Sequence, residues 1–287
     1  MLGLTERDFH IMKYFSSQVM ISGGKVIEVS EPTLTHCPLA RHLYKGFAGL
    51  KGDDKEALKR AIKEAIESKI RDFGLFTGKR KLISNEVAIP YGASEMMMFA
   101  LKKKMIEAAV VVCEGAGTVI TDRPEVVQGI GARLNSLVVT TPIRGIQKEL
   151  KRLGCRIVSR KGMIDQVAGV EAAIKTGYKK IAVTISGAAA GDLKKLCCLE
   201  KESGAAITTL VVCTTGVGAD KIAVIGEYAD LVWSCASSGV REALEPIAKL
   251  KLSRSIPVFV LTDRAAEFVS VFPADLPLSA RRRLCHG

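Results

Sequence analysis

The sequence has no long apolar run, no CxxC pair, no low-complexity tract and few aromatic residues, which make up 5% of it with a single Trp. Its longest mostly apolar runs, 108–113 and 205–213, fall well short of the roughly 20 residues a membrane helix needs. The opening stretch, MLGLTERDFHIMKYF, carries charges where a signal peptide is apolar. Neither a transmembrane nor a secreted protein is expected, and the chain reads as cytoplasmic. The absent CxxC spacing removes the zinc ribbon and the thioredoxin-like motif. HExxH, GxSxG, the phosphate-binding P-loop and a complete dinucleotide fingerprint are also missing. With only four histidines, His10, His36, His42 and His286, a histidine-based triad is poorly supplied. Scarce aromatics leave little on which single-stranded bases can stack. The net charge of +12 is spread along helix faces, so nucleic acid is not the expected partner.

What is present is a globular composition: 287 residues, 48% hydrophobic and 25% charged, enough for one or two domains. The pattern predicts an N-terminal part, 1–85, packed on an α/β body, 86–287. In the first part, 18–21 and 25–29 flank Gly23 and Gly24 as a hairpin. A loop with Pro32 and Pro38 follows and holds His36 and Cys37. Then Leu58, Ile62, Ile66 and Ile70 recur at helical spacing over 55–71, opened by Asp53 or Asp54 and ended by Gly74.

From residue 87 onward, short runs apolar throughout alternate with helical segments. The runs are 87–90, 109–113, 137–140, 156–159, 181–186, 207–213, 231–235 and 257–262. One helical segment carries Val167, Val170 and Ile174 between Asp165 and Gly177. Ser94 is the expected cap of another. Strands apolar on both faces and alternating with helices predict an open doubly wound sheet, mostly parallel, with helices on both faces. A β/α barrel is the alternative.

In such sheets ligands bind beyond the carboxyl ends of the strands. Cys113, Thr140, Ser186, Cys213, Cys235 and Thr262 each close a predicted strand and are expected on one rim, with Cys37 reaching it from its loop. Cys37, Cys113, Cys213 and Cys235 would suit an iron–sulfur cluster or another soft metal. Cys113 and Cys235, with Glu114 as acid or base, are candidates for catalytic thiol chemistry. The loop of Glu114, Gly115, Ala116, Gly117 and Thr118 would suit a ligand bearing phosphate or carboxylate, since two glycines let backbone approach it. Thr214, Thr215 and Ser237 lie in small polar loops of the same kind. The plainer readings are small buried hydrophobes for the cysteines and a tight strand exit for the loop.

An ordered series of motifs adds a resemblance: THCPL (35–39), DFGLFT (72–77), YGASE (91–95), VCEGAGTVI (112–120), VQGIG (127–131), IDQV (164–167), YKKIAVT (178–184), SCAS (234–237) and SIPVF (255–259). Together they resemble methanogenesis marker protein 8, an archaeal domain of unknown function. The resemblance spans roughly residues 17 to 265 and implies a cytoplasmic protein associated with methanogenesis. It transfers no reaction and no catalytic residue. Combined with the strand-end cysteines, it makes redox or metallocofactor maintenance the leading expectation, with methyl-coenzyme M reductase as a candidate beneficiary. An enzyme of phosphate- or carboxylate-bearing ligands is the second reading. The third is a non-catalytic assembly protein whose basic surface meets an acidic partner or another copy of itself.

Overall fold

The computed structural model describes residues 8–34, 47, 54–253 and 256–273. It opens on an antiparallel meander of β1 (His10–Tyr14), β2 (Ser17–Ser22) and β3 (Lys25–Val29). Gly23 and Gly24 take φ of 59° and 68°, the paired left-handed turn that matches strand twist. Helix α1 (Lys55–Phe73) covers this sheet and buries Leu58, Ile62 and Ile66 against Met12, Val19 and Ile21. Asp54 caps it by accepting from the Ala57 N–H. Gly74 closes it at φ 69°, where a Cβ would stand 2.4 Å from the Lys79 carbonyl oxygen.

The predicted strand over 87–90 does not form. Glu95, near the start of α2 (Ala93–Lys102), accepts from the Ala88 N–H at 3.0 Å and the Ile89 N–H at 3.2 Å. Those donors are thereby lost to any ladder. Ser94 is not the cap: Gly92 takes that place, and the Ser94 hydroxyl donates to Glu95 at 2.9 Å.

Then β4 (Ala108–Cys113) turns back into β5 (Gly117–Thr121), followed by α3 (Pro124–Gly131). β6 (Leu137–Thr140) pairs with β1, so the small sheet runs β3-β2-β1-β6. The chain continues through α4 (Arg144–Arg152), β7 (Arg156–Ile157), α5 (Gln166–Lys175), β8 (Lys180–Ser186), α6 (Asp192–Ser203) and β9 (Ala206–Val212). It ends with α7 (Ala219–Tyr228), β10 (Leu231–Trp233), α8 (Ser238–Leu244), β11 (Leu250–Leu252), β12 (Val258–Val260) and α9 (Asp263–Ser270).

The large sheet is ordered β11-β12-β10-β9-β8-β4-β5-β7. The α/β class stands, but the doubly wound, mostly parallel sheet does not. Only β10-β9-β8-β4 are parallel, while the pairings at both ends are antiparallel. The parallel strands also advance in one direction, from β4 to β10, with no reversal of order. Right-handed crossovers in one direction put their helices on one face. Accordingly Val170, Leu193, Leu196, Ile225 and Val240 of α5 to α8 share one apolar layer with Val110, Val183 and Val211. The other face meets α2, α3, α4 and α9 through Met97, Val126, Ile146 and Phe268. The barrel alternative fails too, because β11 and β7 end the order without pairing to each other.

Helix α3 lies close against the segment before α2. A Cβ at Gly129 would come 2.2 Å from the Leu82 carbonyl oxygen and 2.7 Å from the Ile83 nitrogen. Both neighbours are backbone, so Gly129→Ala is expected to destabilise by at least about 1–3 kcal/mol, read as a lower urea midpoint.

Candidate functional site

Three loops meet at the carboxyl ends of β8, β9 and β10. Continuing the β9–β10 register places Cys213 opposite Ser234, with Cys235 one residue beyond. Both cysteines leave their strands in the left-handed region, at φ 57° and 48°, which non-glycine residues seldom adopt. Gly187, after β8, fits this corner because a Cβ would stand 3.1 Å from the Thr214 Cα. Tyr91, also left-handed at φ 57°, accepts a hydrogen bond from the Trp233 indole at 3.0 Å. Backbone strain of this kind clusters at functional sites.

The backbone N–H groups of Thr214 and Cys213 and the hydroxyls of Thr214 and Thr215 lie where they favour the ionised form of the Cys235 thiol. Burial pushes the thiol up from its ordinary value, and these donors pull against that push. Cys235 and Cys213 are both partly exposed. The Thr214 hydroxyl donates its one proton to the Trp233 carbonyl at 2.7 Å. Thr215 is held by the Ala236 N–H, 3.3 Å from its hydroxyl oxygen, which leaves its own proton for sulfur. The neighbouring Ser234 hydroxyl is buried with no hydrogen-bond partner among the described residues. Ser237 accepts from the Val240 N–H as the cap of α8.

The other predicted site residues lie elsewhere. Cys113 ends β4, three strand spacings from β10, or about 14 Å. It is buried, and its thiol donates to the Glu114 carbonyl at 3.4 Å. Burial, and then the Glu114 charge, push that thiol well above the ordinary value. Cys37 lies outside the described residues. Among the described residues, no three His, Cys, Asp or Glu side chains gather as a metal site would need.

The Glu114-to-Thr118 segment is a buried hairpin turn followed by the start of β5. Space for a Cβ at Gly115 is filled by Ile143, and at Gly117 by the Met163 carbonyl, 2.2 Å away. The close approach that these glycines permit is to the protein's own chain. Thr118 donates to Gln166 at 2.8 Å, and Ala116 is buried. Thr140 belongs to the small sheet. Thr262 follows the antiparallel β12, so it stands at the opposite edge, bonded to Asp230 at 2.5 Å. A strand end marks one rim only when all strands run the same way, and that premise failed for both residues.

Glu114 is instead half of a buried ion pair. Its carboxylate meets Arg80 Nε at 2.5 Å, with the two side chains 0% and 1% exposed. Arg80 also donates to the carbonyls of Lys81 at 2.6 Å and Gly129 at 2.9 Å, near the C-terminal end of α3. A cation is favoured there by the helix dipole. Sequence reasoning missed Arg80, since nothing in its neighbourhood marks it as buried.

A second polar chain joins the two sheets. His10 Nδ1 stands 2.7 Å from the Thr140 hydroxyl, which accepts from the Gly115 N–H at 2.7 Å. His10 is buried, which lowers its pKa, while Asp8, 3.5 Å from Nε2, and Glu114 oppose that shift. The unfolded chain binds a proton below about pH 6.5 that native His10 resists. Stability from this residue is therefore present above that pH and lost as pH falls through it. His10→Gln is expected to flatten the drop in urea midpoint between about pH 6.5 and 5.

No described helix is long and apolar enough to cross a membrane. Residues 10–271 match a family described as an uncharacterized protein conserved in archaea, DUF2099. The chain is also 39% identical over 272 residues to an uncharacterized protein of Methanocaldococcus jannaschii, covering 94% of this chain and 92% of that relative.

Proposed function

Since the chain belongs to the archaeal DUF2099 family, we propose that it carries out thiol chemistry, nucleophilic or redox, at Cys235 in the cytosol of methanogenic cells. The tie to methanogenesis rests on the order of motifs that resembles methanogenesis marker protein 8. The chemistry rests on one observation: Cys235, partly exposed and with left-handed backbone, follows β10 beside the end of the parallel strand β9, where the N–H groups and hydroxyls of the 213–215 segment favour its ionised form. Neutral sulfur is a weak acceptor, whereas a thiolate draws full strength from such donors. In the resting protein, burial keeps the thiol protonated. Once the proton leaves, the donors are already in place to hold the negative sulfur. The cost of arranging them was met during folding, which is the logic of preorganised electrostatic stabilisation.

Site-mapped alkylation of the native protein with iodoacetamide tests the reading. Cys235 is expected to be modified in the folded state, while buried Cys113 and Cys155 react only at the rate of unfolding. Protection of Cys235 equal to that of Cys113 would reject it.

A further inference from the structure

We propose that Cys213 is the partner thiol of Cys235, and that the two close reversibly into a disulfide at the ends of β9 and β10 when a small-molecule disulfide is the oxidant. This rests on the reading of Cys235 as the reactive thiol and adds the identity of its partner and the class of its substrate.

The register argues for the pairing. The β9–β10 ladder pairs Val211 with Val232 across parallel strands about 4.8 Å apart, and its continuation sets Cys213 level with Ser234, the residue before Cys235. One residue of offset adds about 3.3 Å along the strand, so the two cysteine Cα atoms are about 5.8 Å apart by this register, inside the roughly 4.4–6.8 Å span that a disulfide bridges. The Cys213 backbone N–H lies where it favours the ionised Cys235 thiol, which is consistent with that separation. Both turn out of their strands with the same left-handed backbone and both are partly exposed. The other described cysteines do not compete. Cys113 ends a strand two positions beyond β9, Cys155 is bonded to Thr121 at 3.4 Å, and Cys197 and Cys198 lie on α6.

The Cys235 thiolate attacks one sulfur of RS–SR, forming the S–S bond of a mixed disulfide and expelling RS⁻. The Cys213 thiolate then attacks the Cys235 sulfur, forming the intramolecular bond and expelling a second RS⁻. The two protons lost by the cysteines pass to the two leaving thiolates through solvent. The protein gives up two electrons and the small disulfide takes them. The donors on the Cys235 sulfur serve the first step as nucleophile stabilisers, and the Thr215 hydroxyl is a positioning group for it.

The test incubates reduced full-length protein with 2-hydroxyethyl disulfide and maps the products by peptide mass. In the unaltered chain, linked peptides joining Cys213 to Cys235 are expected, with two molecules of 2-mercaptoethanol released for each link. In Cys213→Ser the mixed disulfide at Cys235 should accumulate instead, releasing one. Peptide mapping of the unaltered chain stands by itself if the variant fails to fold. A mixed disulfide that persists on Cys235 of the unaltered chain, with no link to Cys213, overturns the pairing and leaves the reactive thiol intact. No modification at Cys235 overturns both.

Discussion

Glu114→Ala is expected to lose about 3–5 kcal/mol of stability, because it strands the buried Arg80 guanidinium without its counter-charge. In a chain of this size that corresponds to a melting temperature lower by roughly 6–20 °C. Glu114→Gln keeps an oxygen acceptor for Arg80 Nε and should lose less. Arg80→Met does not mirror a simple deletion of charge, since Arg80 also satisfies the carbonyls of Lys81 and Gly129. The double variant Arg80→Met with Glu114→Leu should therefore recover only part of the loss, with those carbonyls left unpaired. Thermal unfolding of the four proteins checks the series. A Glu114→Ala protein within about 1 kcal/mol of the parent would show that water or rearrangement compensates the charge.

The second large effect concerns the site itself. Thr215→Val removes a hydroxyl donor from the Cys235 sulfur. A hydrogen bond to a charged group is worth about 1.5–3 kcal/mol, so the Cys235 thiol should move further above its ordinary value. The thiolate fraction near neutral pH then falls about 10–100-fold. A more basic thiolate is also a better nucleophile, with a Brønsted coefficient of about 0.4–0.5, which returns roughly half of the logarithmic loss. Alkylation at Cys235 should slow about 3–10-fold overall, and Thr215→Ser should restore it. Labelling of Cys197 and Cys198, on the surface of α6, serves as the internal control.

Local structure was legible in the sequence wherever one segment decides its own fate. The Gly23–Gly24 hairpin, the stripe of Leu58, Ile62 and Ile66 with its Asp54 and Gly74 ends, and the Asp165 cap all formed as the spacing predicts. Strand existence was readable in the runs now seen as β4, β8 and β9. Strand direction was not. An apolar run such as 257–262 looks the same whether it pairs parallel or antiparallel, so the edge on which Thr262 falls is decided by the connection before it. For the same reason the 137–140 run joined the small sheet beside β1, and the 117–121 segment returned as β5 behind two glycines.

The candidate site was legible in part. Cys213 and Cys235 were read as strand-end residues and Thr214 and Thr215 as a small polar loop; the segments that carry them lie side by side because β9 and β10 are adjacent and parallel. Cys113 was grouped with them only by its place at the end of its own strand. The intervening strands β8 and β9 separate it from β10, and its chemistry belongs to the Arg80–Glu114 pair. Arg80 and His10 illustrate the converse. Each is a polar residue whose burial follows from packing between two sheets that are remote in the chain, and no local pattern announces that.

The measurement that bears most directly on Cys235 as the working thiol is its alkylation rate as a function of pH, followed at that residue alone in native protein and in urea-unfolded protein. The native profile should show one ionisation displaced above that of the unfolded thiol, moving further upward in Thr215→Val. Native and unfolded profiles that coincide, or a native rate that merely follows unfolding, would contradict it.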